Sequence, residues 1–169
     1  MQELNIPKAR VAVLVGTKGE TKKKIEKATK TKLEVLKEGD VVIDGESLDC
    51  FVTEKVVRAV GRGFNPDVAL KLINEGYVLE IIKITDYTGK SPKKFIRIKA
   101  RLIGTQGKAR KVLEKLTNTN IIIYGKTVSM IGKYEDVLDA KQAIEYLLQG
   151  APHGNVYKFL EDSIKKRKW

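Results

Sequence analysis

Two four-residue glycine brackets are the residues best placed to do chemistry in this chain. The first is Gly16-Thr17-Lys18-Gly19 and the second is Gly104-Thr105-Gln106-Gly107, so their first glycines lie 88 positions apart. Each follows an aliphatic pair, Leu14-Val15 or Leu102-Ile103, and opens a lysine-rich stretch of helical pattern. Glycine lets a main chain approach a ligand closely. The free N–H groups and dipole of a helix start favour negative charge. Together they predict a clamp on a phosphodiester backbone. One G-x-x-G is an ordinary turn, but the same bracket twice in the same context is a repeated unit. Lys18, Lys22 and Lys23 bring positive charge to the first bracket. The variable pair of the second is neutral, and Arg101, Lys108, Arg110 and Lys111 stand ready to supply its charge.

Other chemistries are poorly provided for. Neither bracket has the four intervening residues and Lys-Ser/Thr of a Walker loop, and Gly61-Arg62-Gly63 lacks the third glycine of a dinucleotide fingerprint. One cysteine, Cys50, and one histidine, His153, cannot build a zinc site. Cys50 lies in an apolar stretch and reads as core. Asp40, Asp44, Asp67, Asp86 and Asp136 are scattered along the chain, which gives no nuclease-type metal cluster. The expectation is a non-catalytic protein with no cofactor and no bound metal.

Composition points to the same partner as the brackets. The 169 residues carry 33 Lys and Arg against 21 Asp and Glu, a net charge of +12, which suits a polyanion such as nucleic acid. A hydrophobic share of 42% fits globular folding. Aromatic residues make up only 7%, which favours an aliphatic binding groove over a base-stacking platform. No stretch approaches the roughly 18 apolar residues of a membrane span. The opening Met1-Gln2-Glu3-Leu4 has no signal-peptide pattern, and the lone cysteine fits a reducing compartment. A cytoplasmic monomer is expected.

The elements needed to hold the brackets can be read along the chain. A short strand before Pro7 leads into a helix over 8–15 that stops at Gly16, and a second helix runs over 20–30 with Ile25 and Ala28 inward. Leu33 to Val35 and Val41 to Ile43 form a hairpin, and apolar spacing predicts a helix from Leu48 to about Arg62. Asn65 caps a short helix over 67–73 whose apolar residues make a packed connector rather than a flexible tether. The series then restarts with a buried strand over 77–85, a loop over 86–92, a mixed stretch over 93–103 and a helix over 108–117. A tight hairpin around Gly125 and a helix over 134–149 complete it. The expected division is 1–63, a connecting helix over 64–76, 77–150, and a basic tail over 151–169. Within that tail 156–164 can form an amphipathic docking helix, Lys165 to Lys168 either track phosphates or stay solvated, and Trp169 has no assigned role.

Each repeat resembles an eukaryotic-type (type I) KH domain, an α+β unit in which a three-stranded sheet is covered by helices. The whole chain resembles the archaeal branch of the two-KH small-subunit ribosome assembly proteins, partners of the Nob endonuclease. The residues carrying this resemblance are the paired units, Arg58-Ala59-Val60-Gly61-Arg62-Gly63-Phe64 with 67–70, Arg101-Leu102-Ile103-Gly104, and Gly150-Ala151-Pro152-His153-Gly154-Asn155-Val156-Tyr157. The long N-terminal extension of eukaryotic members is expected to be absent. The resemblance implies binding of single-stranded RNA near the 3′ end of small-subunit pre-rRNA and assistance to a Nob-type endonuclease that matures it. It also implies a contact with the alpha subunit of translation initiation factor 2. Gly16 to Gly19 and Gly104 to Gly107 would then hold phosphates. Bases would lie on Leu14, Val15, Ile25, Leu33 and Val35 in the first unit, and on Leu102, Ile103, Val112, Ile121 and Ile123 in the second. A general KH protein of mRNA or exosome pathways, or a protein-interaction scaffold, fits the composition as well.

Overall fold

The computed structural model describes residues 1–168; Trp169 lies outside the described residues. The chain forms two compact units, Met1–Tyr77 and Val78–Trp169.

In the first unit β1 (Gln2–Asn5) passes through a 3-10 turn into α1 (Val11–Val15), the first bracket and α2 (Glu20–Thr29). The hairpin β2 (Lys32–Val35) and β3 (Asp40–Asp44) follows, then α3 (Ser47–Gly61). The sheet order is β1-β3-β2, with both pairs antiparallel; Leu4 faces Val41 and Leu33 faces Ile43 in register. Leu14, Ile25, Val41, Ile43, Val56, Val57 and Val60 are buried between sheet and helices. Each such side chain contributes roughly 1.5–3 kcal/mol of burial free energy. Ala28 is exposed, not inward: the buried face of α2 runs through Ile25 and Thr29, four apart, and Ala28 falls to one side of it.

The expected connector belongs to this unit. Asn65 accepts a hydrogen bond from the Asp67 amide at 2.8 Å and caps α4 (Pro66–Ala69), which continues as a 3-10 turn over Leu70–Ile73. Both segments pack on α3, burying Ala69 and Leu72.

The second unit repeats the plan with additions. β4 (Tyr77–Lys83) leads to a short helix α5 (Thr85–Thr88), where the sequence suggested only a loop, and then to α6 (Pro92–Ile103). Of β4 only Ile82 is buried; the rest is half-buried or exposed. Ser91 caps α6 by accepting from the Lys94 amide, with Pro92 in the first turn, so the stretch read as mixed is one continuous helix. After the second bracket come α7 (Lys108–Thr117), β5 (Asn120–Tyr124), β6 (Thr127–Lys133) and α8 (Tyr134–Leu148), with sheet order β4-β6-β5.

The docking helix expected over 156–164 is present and longer, so the segment read as a basic tail belongs to the second unit. Residues His153–Lys168 form α9, packed on α7 and α8, with Val156 and Leu160 in the core of the unit. Arg167 lies 2.8 Å from Asp139 and 3.3 Å from Asp136, holding the end of α9 against α8. Arg167→Ala should lower stability by about 1 kcal/mol, the scale of a partly exposed ion-pair network. Urea unfolding checks the loss, and RNA affinity should stay within about twofold. A variant as stable as the parent would mean that these pairs do not anchor the helix.

Two Thr clusters and two carboxylate clamps mark the duplication in side-chain detail. Glu26 accepts from the Leu33 amide at 2.8 Å and Glu114 from the Ile121 amide at 2.9 Å. Thr29 and Thr117 each bond the carbonyl four residues back, and each meets a second buried threonine, Thr31 or Thr119. These bonds tie the helix after each bracket to the strand that follows it.

Candidate nucleic-acid interface

Both brackets adopt the same unusual backbone. Gly16 has φ 75°, ψ 176° and Gly104 has φ 74°, ψ 173°, a region that is essentially glycine-only. Lys18 and Gln106 both sit at φ 55°, and Gly19 and Gly107 both at φ 74°, ψ 14°. The two turns are therefore one device built twice. A Cβ on Gly16 would lie 2.9 Å from the Thr21 amide nitrogen, and one on Gly104 would lie 2.6 Å from the Ala109 amide nitrogen. A Cβ on Gly19 would meet nothing within 4 Å. The first glycine of each bracket lets the loop close on its helix; the second leaves an open face where a phosphate can approach.

The loops are held by arginines that reach backbone carbonyls. Arg10 donates to Val60 O at 2.8 Å and Phe64 O at 2.9 Å. Arg101 donates to Leu147 O at 3.1 Å and Ala151 O at 2.7 Å, and His153 Nε2 lies 2.8 Å from Arg101 O. Arg10, just before α1, and Arg101, on α6, thus tie the segment leading into each bracket to the end of the long helix of that unit, α3 or α8. Arg110 likewise bonds Glu114 at 2.9 Å and Ile121 O at 3.1 Å. Arg101 and Arg110, expected from sequence among the phosphate ligands, therefore have fork donors engaged inside the fold.

The other expected contacts lie where a ligand can reach them. Thr17, Lys18, Lys23, Thr105, Gln106, Lys108 and Lys111 are exposed, and Lys22 and Ile103 are half-buried. Of the expected aliphatic groove, Leu14, Ile25, Leu33, Leu102 and Ile121 are buried core, whereas Val15, Val35, Val112 and Ile123 remain partly accessible.

The surroundings of the two loops differ in charge. Beside the second loop is a groove of about 620 Å³ lined by Thr105, Gln106, Lys108, Lys111, Val112 and Lys115, with no carboxylate. Beside the first helix α2 is a groove of about 410 Å³ that includes Glu20 and Asp67, with Lys24 paired to Asp67 at 2.7 Å. Lys108 stands in the second repeat where Glu20 stands in the first, so the same helix start carries opposite charge. Lys115 was missed by the sequence reading; its spacing of four from Lys111 puts both on one helical face.

Shifted titrations lie away from both brackets. Burial, and next the Glu145 carboxylate, push the Tyr87 hydroxyl up; burial pushes Tyr157 up; a hydrogen bond to Glu80 raises Lys141. All three move away from neutral pH, unlike a group tuned for proton transfer. Among the described residues no group of three His, Cys, Asp or Glu side chains could hold a metal ion, and no helix is long and apolar enough to cross a membrane.

A strand-helix-loop-helix-strand-strand-helix unit with a glycine bracket as its loop is a type I KH domain, and this chain contains two, the second with α5 added between its first strand and the helix before the bracket. Comparison with known proteins agrees. Residues 1–74 match the family described as KH domain, and residues 78–165 match the eukaryotic-type KH domain (KH-domain type I), in the form of the second domain of Pno1. A KH domain-containing protein of Methanocaldococcus jannaschii is 48% identical over 98% of this chain and 74% of its own length. The pre-rRNA-processing protein pno1 of Aspergillus fumigatus is 27% identical over 68% of the chain but only 46% of its own length. A chain in the crystal structure of the a/eIF2alpha–aDim2p–rRNA complex from Pyrococcus horikoshii OT3 is 42% identical, with a TM-score of 0.90 over 98% of this chain and 94% of that one. The chain belongs to the two-KH-domain family that includes Pno1.

Proposed function

We propose that this chain is a non-catalytic ribosome assembly factor that binds single-stranded RNA near the 3′ end of small-subunit pre-rRNA. In this reading a Nob-type endonuclease cuts that end while the chain holds it, and the alpha subunit of translation initiation factor 2 is a further partner. The observation that carries the RNA reading is the pair of superimposable brackets, the second beside a groove with three lysines and no carboxylate. Gly104, Thr105, Gln106, Gly107, Lys108 and Lys111 hold the phosphates there, and Gly16, Thr17, Lys18, Gly19, Lys22 and Lys23 do so at the weaker first site. Kinship with pre-rRNA-processing proteins, and likeness to a chain from an rRNA complex, support the choice of RNA.

Competition between a 3′-terminal small-subunit rRNA segment and a scrambled RNA of equal length tests the reading. A preference of about tenfold or more for the rRNA segment is expected, a discrimination of roughly 1.4 kcal/mol. Crosslinks from residues 105–111 should map to the same end on purified precursor subunits. Equal competition would reduce the chain to a general KH-type RNA binder.

A further inference from the structure

The second unit departs from the duplication at one place. Ten residues, 6–15, separate β1 from the first bracket, but twenty, 84–103, separate β4 from the second. The ten added residues, 84–93, make α5, the turn at Gly89 and the start of α6, opening a surface that runs on to Arg97. It is strongly basic: Lys90, Lys93, Lys94 and Arg97 are exposed, and among the described residues none of the four takes part in an ion pair. Lys93 and Lys94 also sit in the first turn of α6, which has no acidic residue. The helix dipole disfavours cations there. Helix stability therefore does not explain these lysines.

Their placement does have a direction. Lys94, Arg97 and Arg101 line one side of a 540 Å³ cavity together with Tyr87 and a single carboxylate, Asp86. At 100° per residue these three positions form a stripe along α6, and the stripe runs on to Gly104, where the helix ends in the bracket. The outer face of α6 adds Lys93 and the exposed Ile96, an apolar surface among cations that a ribose or base can cover.

We infer that RNA held by the second bracket continues along α6, with its phosphates on Lys93, Lys94 and Arg97. This rests on the RNA-binding reading above and extends it: a KH loop clamps about four nucleotides, and the α6 surface lengthens that footprint. Charge complementarity and continuity with the bracket favour the RNA backbone over an acidic protein.

The test compares the full chain with Lys93→Ala/Lys94→Ala/Arg97→Ala on two probes, a four-nucleotide and a roughly twelve-nucleotide segment of the small-subunit rRNA 3′ end. Alanine at these exposed helical positions keeps the helix, and circular dichroism with a melting curve verifies it. The longer RNA should bind about tenfold more weakly to the variant. The slope of log affinity against log salt should fall by about 2, near 0.7 for each of three lost phosphate contacts. Affinity for the short RNA should stay within about twofold. Equal loss on both probes, or no loss on either, would overturn the inference. Polyglutamate binding the parent chain as tightly as the longer RNA, and losing affinity in the variant, would overturn it in favour of an acidic protein partner. A Lys90→Ala/Lys93→Ala variant repeats the comparison if the triple variant folds poorly. If the parent chain binds neither RNA, the RNA-binding reading itself fails, which is a different result from a parent that binds and a variant that matches it.

Discussion

Thr105→Asp with Gln106→Asp should weaken binding of single-stranded RNA by about hundredfold and leave the fold intact. Both side chains are exposed on the turn where phosphates would sit. Two new carboxylates a few ångströms from phosphate oxygens would add about 1–4 kcal/mol of repulsion each, depending on local screening. A total of about 3 kcal/mol corresponds to about a hundredfold loss. The backbone accepts the change: position 106 has φ 55°, and aspartate is among the side chains that tolerate the left-handed region. Stability should therefore move by no more than about 0.5 kcal/mol. The matching pair in the first unit, Thr17→Asp with Lys18→Asp, should cost only about tenfold. That pair changes the charge by three units against two, but Glu20 follows the loop and the groove along α2 also holds Asp67, so this site contributes less of the total phosphate attraction. Fluorescence anisotropy with a labelled RNA reads both effects, and melting curves control for the fold. Unchanged affinity in both variants would remove the glycine brackets from the binding mechanism.

The difference between the two loops shows what sequence could and could not reveal. The brackets themselves were legible, because glycine at both ends, helical periodicity after them and the 88-residue repeat all agree. The variable pairs were legible too, and taken alone they favour the first loop, which carries Lys18 where the second has Gln106. What was not legible is which charges gather around each loop. Asp67 comes to α2 only because α4 folds back beside it, and its pairing with Lys24 spans 43 positions. Arg101 and Arg110 look like ideal phosphate ligands by type and position. Whether a guanidinium faces solvent or a carbonyl 46 residues away is a property of packing, which composition does not encode.

The C-terminal segment shows a second kind of limit. Pro152, His153 and Gly154 read locally as a loop, and the lysines from 165 onward dominate the impression of a free basic end. Yet Val156 and Leu160 lie four apart and are both buried, which is why a docking helix over 156–164 was legible. What the loop-like start and the basic end hid is that it runs from His153 to Lys168. The same position in the first unit is filled by the much shorter α4, which also follows a glycine turn and also packs on the preceding long helix. Gly63 at φ 108° and Gly150 at φ 101° make those two turns. Each repeat thus ends in a further helix packed on its long one, and the reading over 67–73 and 156–164 placed both.

The glycines of each bracket should separate into two roles when they are replaced. Gly104→Ala places a methyl about 2.6 Å from the Ala109 amide nitrogen, in a φ,ψ region that alanine avoids. Backbone strain of about 1–3 kcal/mol and a comparable steric cost both apply, so the second unit should lose about 3 kcal/mol or more. Gly107→Ala meets only the flexible end of Lys111, at 3.9 Å, and must adopt the left-handed region at a cost of about 1–2 kcal/mol. Its methyl instead occupies the open face of the turn. The expected result is a variant that stays folded but binds RNA at least tenfold more weakly, because the phosphate can no longer approach the main chain. Hydrogen exchange at the amides of β6 reads the stability of the second unit without interference from the first. RNA titration of the same samples reads the binding. If Gly107→Ala binds RNA as the parent does, close approach to the backbone is not how this loop holds phosphate. If it destabilises the unit as much as Gly104→Ala, the division between a closing glycine and a contact glycine is wrong.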